Sequence, residues 1–244
     1  MRIPRIYVDT PLQSGLTVTL PEQAGEHVAR VLRLDRGSVV VVFNGDGREY
    51  DAQLTSVAKR AVTAQIISVR DVHCESPLQL TLVQAIARGE KMDWILQKAT
   101  ELGVVRIVPI ITQRTEVKLD DERAQRRLAH WNHVIAAACE QSGRNRLPTL
   151  AAPQRLDRWL ETLGDEGALR LALLPQGTVQ VRELTSLAVG AILAVGPEGG
   201  FSETDIALLN QATFRGLRLG PRILRTETAG IAALAALQAL HGDL

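Results

Sequence analysis

The stretch VGPEGGFS at residues 195–202 combines residue types that can bind a ligand through the main chain. The apolar run Ala191–Val195 ends there in three glycines, a proline and the lone carboxylate of Glu198. Glycine allows close backbone approach, and free N–H groups at such a turn can hold polar ligand atoms. Glu198 would repel a phosphate, and the stretch has neither G-x-G-x-x-G spacing nor the Lys-Ser/Thr of a P-loop. A neutral or cationic ligand, such as an adenosine with its hydroxyls, fits better, while a purely structural turn is an equal alternative.

A second unusual stretch, residues 217–230, contains LGPRILRTETA and lies between two predicted helices. It is too short and too interrupted for a regular element. We expect Thr226 to cap the helix that follows, with Glu227 in its favourable first turn. That helix presents mostly small apolar residues between Ala229 and Leu240, so whatever packs against it comes close.

From Pro77 onward, strands and helices alternate. The predicted strands are Leu78–Ile86, Val104–Ile111, Leu169–Leu174 and Ala191–Val195. The predicted helices run from Met92 to Leu102, from Asp121 to Gln141, from a capping box of Ser202 and Asp205, and from Thr228 to Leu240. This alternation predicts a parallel sheet with helices on both faces. Ligands bind beyond the carboxyl ends of such strands, where the glycine turn lies.

The first 70 residues are rich in short β-branched or alternating runs. The predicted strands are Ile6–Val8, Leu16–Leu20, Ser38–Phe43 and Tyr50–Val57, with a hairpin turn at Asn44–Gly47. Pro21 suits the start of a short helix through Val31. Several strands with one helix predict a small barrel, so we expect domains at residues 1–72 and 73–244.

The composition is that of a globular protein, with 45% apolar and 23% charged residues, and it excludes disorder. No apolar stretch approaches the ~20 residues of a membrane span, which predicts no membrane partner. The two cysteines form no disulfide framework, which predicts a reduced cytoplasmic setting. Only four of the 28 basic residues are lysines and the rest are arginines, whose planar fork suits phosphates and base edges. Genomic composition bias is the alternative explanation of this excess, and the one that we favour.

VGPEGGFS and LGPRILRTETA together resemble the SPOUT methyltransferases, specifically the RsmE family. Four further segments are similar to family segments in the expected order: RIYVDTPL at 5–12, HVARVLRLDRGS at 27–38, KMDWILQKATELGV at 91–104 and AACEQSGRNRLP at 137–148. The resemblance covers the whole chain.

The resemblance implies an S-adenosylmethionine-dependent enzyme that methylates N3 of a uridine in bacterial 16S ribosomal RNA, within the assembled 30S subunit. It implies an α/β fold with a C-terminal trefoil knot, a PUA-like N-terminal barrel, and a homodimer whose site draws on both subunits. A non-catalytic RNA-binding or ribosome-assembly protein on the same fold, and a ribose methyltransferase of transfer RNA, are the alternatives. Intact glycine and RTETA motifs favour the base methyltransferase.

The resemblance also implies a cofactor cleft with three walls. Its expected residues are Leu173, Leu174, Gly196, Pro197, Glu198, Gly199, Gly200, Leu219, Gly220, Ile223, Leu224, Arg225, Thr228 and Ala229. Leucines there can sandwich the adenine while backbone groups read its edge. Without the resemblance, Leu173 and Leu174 are ordinary core residues.

Methylation at uridine N3 requires that the imide lose its proton, because the neutral nitrogen has no nucleophilic lone pair. A nearby cation favours the resulting anion and a carboxylate can collect the proton. Arg225 and Glu227 are the expected catalytic residues, with a structural ion pair or cap as the alternative.

Five arginines are the expected RNA contacts: Arg5, Arg30, Arg33, Arg144 and Arg146. Any single arginine is more often a solvated surface residue, but clustering favours phosphate contacts. His130 and His133 lie three residues apart on a helix. Cys139 is not obviously on their face, so we expect no metal.

Overall fold

The computed structural model describes residues 3–58, 61–117, 120–164, 167–185 and 189–244, and contacts divide it into two compact units. The first comprises Met1–Glu75 with Ala136–Leu147, and the second comprises Ser76–Ile135 with Pro148–Leu244. The domains expected from the sequence are residues 1–72 and 73–244. Residues 136–147 belong by their contacts to the first unit, which the linear division at residue 72 does not anticipate.

The first unit is a five-stranded sheet wrapped around an apolar core. Its strands are β1 (Arg5–Tyr7), β2 (Thr17–Thr19), β3 (Val39–Phe43), β4 (Arg48–Ala58) and β5 (Ala61–Asp71). Helix α1 (Glu22–Glu26) continues into a π-helical turn at His27–Val31, so the helix predicted after Pro21 is confirmed. The order is β1-β3-β4-β5-β2, and no ladder joins β1 to β2 within the described ranges.

Alternation explains this core, because successive strand residues face opposite sides. Val62, Ala64 and Ile66 of β5 are buried, as are Ala52 and Leu54 of β4 opposite them. Strand β5 was missed from the sequence, although its apolar residues follow the same alternation.

The second unit contains a larger sheet whose ladders are all parallel, as expected. Its strands are β6 (Leu80–Ala85), β7 (Arg106–Ile111), β8 (Thr149–Leu150), β9 (Gln154–Arg155), β10 (Leu169–Leu173), β11 (Val179–Gln180), β12 (Ala191–Val195) and β13 (Arg215–Arg218). The order is β11-β13-β10-β12-β6-β7-β8, with β9 also paired to β7. The helices are α2 (Lys91–Glu101), α3 (Asp121–Ser142), α4 (Leu156–Glu161), α5 (Glu203–Gln211) and α6 (Thr226–His241), with a 3-10 turn at Val181–Glu183. Helix α3 continues from this unit into the residues grouped with the first.

Strand β13 lies between β10 and β11, which are joined by the short loop 174–178. This loop lies directly against β13, because a Cβ on Gly177 would be 2.6 Å from the carbonyl oxygen of Gly216. β13 comes later in the chain than the loop that joins its two neighbouring strands. This order is the one expected for the knot that the resemblance implies.

No helix in the described parts of the chain is long and apolar enough to cross a membrane.

Candidate functional site

Three loops of the second unit enclose a cavity of about 520 Å³ at the carboxyl ends of β10, β12 and β13. The register places these ends side by side, since Ala172 pairs with Ala194 and Leu173 pairs with Leu217. The volume is within the range of small-molecule and cofactor sites. The lining residues are Lys91, Arg114, Leu173–Gln176, Val195–Phe201, Ile206, Leu217–Thr226 and Ala229.

The glycine turn after β12 adopts a shape that side chains would disturb. A Cβ on Gly196 would lie 3.0 Å from the backbone nitrogen of Phe201, closer than ordinary packing allows. Gly200 and Gly220 have φ angles of +68° and +77°, a region that favours glycine. A Cβ on Gly200 or Gly220 would meet no described atom within 4 Å, so steric crowding does not explain these two glycines. The positive φ angles of these two residues explain why glycine is favoured there.

The predicted capping box at the start of α5 is confirmed. The backbone N–H of Asp205 donates to Ser202 Oγ at 3.1 Å, and that of Ser202 donates to Asp205 Oδ2 at 2.9 Å. Both residues are buried. The box fixes where the turn ends, because it satisfies two backbone donors at the helix start.

The expected capping role of Thr226 is wrong. Arg225 is the N-cap residue of α6, and Thr226 lies inside the first turn. The buried Thr226 hydroxyl donates to the carbonyl oxygen of Gly196 at 2.6 Å and accepts from Gln84 Nε2 at 3.1 Å. Thr226 therefore ties the start of α6 to the glycine turn and to β6.

Glu198 is the only carboxylate among the described residues that line the cavity. It accepts hydrogen bonds from Lys91 Nζ and from the backbone N–H of Arg88, both at 3.1 Å. Burial opposes ionisation of this carboxyl, but its own and the Arg88 backbone N–H groups and the Lys91 ammonium lower its pKa below the ordinary value. Glu198 therefore stays ionised at neutral pH.

All but one of the fourteen expected cofactor residues line the cavity, and the exception is Thr228. Leu173 and Leu174 are half-buried at its wall rather than fully enclosed in the core. Sequence reasoning missed Lys91 and Arg114, which come from distant segments and carry no local signal. It also missed Pro175, Gln176, Val195, Phe201, Ile206, Leu217, Arg218, Pro221, Arg222 and Thr226, most of which adjoin predicted residues.

The structure separates the two expected catalytic residues. Arg225 is exposed and lines the cavity, whereas Glu227 does not line it. Successive helical residues are rotated by about 100°, so Thr226 and Ala229 share the cavity face while Glu227 and Thr228 turn away. Glu227 Oε2 is buried and has no hydrogen-bond partner among the described residues.

Two of the five expected RNA contacts are engaged inside the first unit. Arg5 forms an ion pair with Glu49 and donates to Asn145 Oδ1 at 2.6 Å, and Arg144 forms an ion pair with Glu75 at 2.7 Å. The buried guanidinium groups of Arg5 and Arg144 are thereby directed to protein acceptors. This corrects the expectation that Arg5 and Arg144 contact phosphates.

The other three, Arg30, Arg33 and Arg146, are exposed. Arg30 forms a surface ion pair with Glu26 at 3.2 Å. All three therefore remain accessible to phosphate.

Histidine and acidic side chains do not gather into a metal site within the described ranges. His130 Nε2 lies 2.7 Å from Asp93 Oδ2, and no three potential metal ligands come together in those ranges.

Comparisons with known proteins match both parts of the chain. Residues 74–238 match an RNA methyltransferase domain, and residues 20–67 match an RNA methyltransferase PUA domain. Ribosomal RNA small subunit methyltransferase E of Buchnera aphidicola subsp. Schizaphis graminum is 32% identical, covering 100% of this chain and 98% of its own. The protein of the same name from Bacillus subtilis is 31% identical, with 95% of each chain covered.

Two solved structures resemble this one over their whole length. A putative methyltransferase from Legionella pneumophila in complex with bound S-adenosylmethionine is 43% identical, with a TM-score of 0.95 and 100% coverage of both chains. A ribosomal RNA small subunit methyltransferase E from Neisseria gonorrhoeae, bound to S-adenosylmethionine, is 37% identical, with a TM-score of 0.91 and 100% coverage of both chains.

Proposed function

The chain belongs to the ribosomal RNA small subunit methyltransferase E family, and from that premise we propose that it transfers a methyl group from S-adenosylmethionine to N3 of a uridine in bacterial 16S ribosomal RNA. The cavity at the carboxyl ends of β10, β12 and β13 carries this proposal. It is the position at which parallel α/β sheets bind ligands.

The chemistry of the cavity suits S-adenosylmethionine. Leu173, Leu174, Leu219 and Leu224 offer apolar walls for an adenine. The ionised Glu198 can accept hydrogen bonds from ribose hydroxyls or from an ammonium group. When bound, the cofactor supplies an electrophilic methyl group on its sulfonium.

Arg225 is the residue that we propose to act on the uridine. Its guanidinium stands exposed at the cavity, where it would favour the anion left when N3 gives its proton to solvent water. Positioning of the base in the cavity supplies much of the remaining rate. Glu227 lies in the first turn of α6, where a negative charge interacts favourably with the helix dipole. We therefore propose a structural role for it.

We further propose a knotted, cytoplasmic homodimer that acts on the assembled 30S subunit. Ala232 and Leu240 of α6 are exposed in the single chain, and Ile223 in the loop of the cavity is 86% exposed. Of these three residues only Ile223 lines the cavity, and exposed apolar surface there and along α6 supports a subunit contact to which both chains contribute.

Mass spectrometry of ribosomal RNA from cells that lack this protein tests the reaction. We expect loss of 3-methyluridine from 16S ribosomal RNA, restored by the wild-type chain and by Arg215→Ala but not by Arg225→Ala. Arg215 is a suitable control because it is exposed on β13 and does not line the cavity. Loss of a ribose-methylated nucleotide from transfer RNA instead would identify a ribose methyltransferase. Unchanged modification would indicate a non-catalytic assembly protein.

A further inference from the structure

The cavity carries far more positive charge than the chain as a whole. Its lining includes the cations of Lys91, Arg114, Arg218, Arg222 and Arg225, against the single carboxylate of Glu198. Lys91 and Glu198 form an ion pair at 3.1 Å and offset each other. Four arginines therefore remain, in a chain whose formal net charge is only +1.

Three of these arginines, Arg114, Arg218 and Arg222, are exposed at the mouth of the cavity and are called here the rim arginines. No ion pair joins any of them to a carboxylate in the described parts of the chain. Arg114 Nη1 donates to the carbonyl oxygen of Gly199 at 2.9 Å, which holds its side chain against the glycine turn. A guanidinium has five N–H donors, so a fork remains for an anion.

Five other exposed arginines of the second unit differ in this respect. They are paired with nearby carboxylates as Arg88–Glu116, Arg123–Asp120, Arg126–Glu122, Arg155–Asp157 and Arg158–Glu161. Arg106, Arg182 and Arg215 are also exposed and have no ion pair within the described residues, but none of them lines the cavity. The rim arginines therefore stand out because three cations without acidic partners surround one opening.

The proposed cofactor does not account for this charge. S-adenosylmethionine has one carboxylate but also an ammonium and a sulfonium, so additional guanidinium groups repel it overall. An RNA strand, in contrast, brings a phosphate with every nucleotide, and arginine binds phosphate through two parallel N–H groups. We propose that the rim arginines bind the phosphates that flank the target nucleotide and hold its base over the cavity. This inference rests on the proposed function.

The sheet order places the rim arginines on opposite sides of the opening. Arg218 ends β13 and Arg222 follows it, whereas Arg114 follows β7, four strands away in the order β13-β10-β12-β6-β7. Neighbouring strands lie about 4.8 Å apart, so the two strand ends are separated by about 19 Å. A strand of RNA that crosses this opening meets cations on both sides of the cavity.

The test is the salt dependence of binding to a short single-stranded RNA, measured for the wild type and for the triple variant Arg114→Gln, Arg218→Gln, Arg222→Gln. Each phosphate contact contributes about 0.7 to the slope of log K against log salt for single strands, so the slope should fall by about 2. At 0.1 M salt this corresponds to roughly 100-fold weaker binding. Arg215→Gln is the matched control, because Arg215 is an exposed arginine on the same strand as Arg218 and lies outside the cavity.

Two further measurements on the same samples show whether the variant has also lost cofactor binding or its oligomeric state. Calorimetry should find that the triple variant still binds S-adenosylmethionine, and sedimentation velocity should find an unchanged oligomeric state. An unchanged salt slope overturns the proposal, and so does a slope change equal to that of Arg215→Gln. Dissociation of the oligomer with a retained slope also overturns it, by assigning these residues to a subunit contact.

If the rim arginines do not bind RNA phosphates, the results differ from those expected if the proposed methyl transfer is wrong. If the wild-type protein methylates RNA but the triple variant keeps the wild-type salt slope of RNA binding, only the phosphate-binding role of the rim arginines is disproved. A wild-type protein that binds RNA through these arginines but never transfers a methyl group disproves the reaction and leaves the rim intact.

Discussion

Thr226→Val should both destabilise the second unit and weaken cofactor binding. Valine has nearly the shape of threonine, so the change removes the hydroxyl without opening a cavity. The lost hydroxyl donates to the Gly196 carbonyl oxygen at 2.6 Å and accepts from Gln84 Nε2 at 3.1 Å, in a buried setting. A lost hydrogen bond costs about 1 kcal/mol and a buried unsatisfied carbonyl about 1–3 kcal/mol, which sums to about 2–4 kcal/mol. The Gly196 carbonyl bears most of this cost, since Gln84 Nε2 also donates to the carbonyl oxygen of Ala85.

Urea unfolding followed by tryptophan fluorescence measures this loss in the right unit, because Trp94, Trp131 and Trp159 all belong to the second unit. Calorimetry with S-adenosylmethionine measures the second effect. A turn released from Thr226 spends less time in the binding conformation, and the apparent affinity falls by that fraction.

Two variants serve as controls for this prediction. Thr228→Val removes an exposed hydroxyl two residues further along α6 and should change neither quantity. Thr226→Ser retains the hydroxyl and should restore most of the binding. An unfolding free energy within about 0.5 kcal/mol of wild type, together with an unchanged affinity, would refute the anchoring role of Thr226.

Three further predictions concern the glycine turn, a buried thiol and the proposed dimer. Gly196→Ala should weaken S-adenosylmethionine binding by calorimetry far more than Gly199→Ala, because the added Cβ would lie 3.0 Å from the Phe201 nitrogen rather than 3.6 Å from the Arg114 side chain; equal affinities would contradict this. Burial raises the pKa of the Cys139 thiol to about 12, so it remains a neutral thiol at pH 8 and should not react with a disulfide reagent until urea unfolds the chain; rapid labelling of the native protein at Cys139 would count against it. Ala232→Glu places a charge on the exposed face of α6, so it should split the proposed dimer in sedimentation velocity and abolish methylation while circular dichroism stays unchanged. A fully active monomer would rule out a shared site.

Most of the second unit could be predicted from local pattern because each signal lies within a few residues. The strand Ala191–Val195 is confirmed at both ends, and the capping box of Ser202 and Asp205 is confirmed by its hydrogen bonds. Helices and strands depend on periodicity and on the residues at their ends, which neighbours in the chain supply.

Strand β5 was not predicted from the sequence, although its residues carry the pattern of a strand. Val62, Ala64 and Ile66 alternate with residues that are not fully buried, as a half-buried strand requires, yet no strand was assigned there. Ten residue pairs with β4 define this strand in the structure, because a ladder depends on a partner as well as on propensity.

The roles of polar side chains depended on three-dimensional neighbours. Thr226 has the residue type and position of a helix cap, but Gly196 and Gln84 lie close enough to engage its hydroxyl instead. Arg5 and Arg144 have the appearance of phosphate-binding residues, but Glu49 and Glu75 engage them within the first unit. A sequence shows which groups can donate a hydrogen bond, and only the fold decides which acceptor is near.

By itself the sequence determined the parallel sheet, through short-range periodicity, and the family, through the contiguous motifs that carry the resemblance. Thirteen of the fourteen cofactor residues that the resemblance implied line the cavity. The tertiary structure alone decided that Lys91 and Arg114 reach the cavity, that Glu227 turns away from it, and that residues 136–147 join the first unit. The physical reason is that helical rotation, strand order and burial act between segments far apart in the chain. The sequence therefore defines which chemical groups a residue carries, while the tertiary structure determines which other residues it contacts.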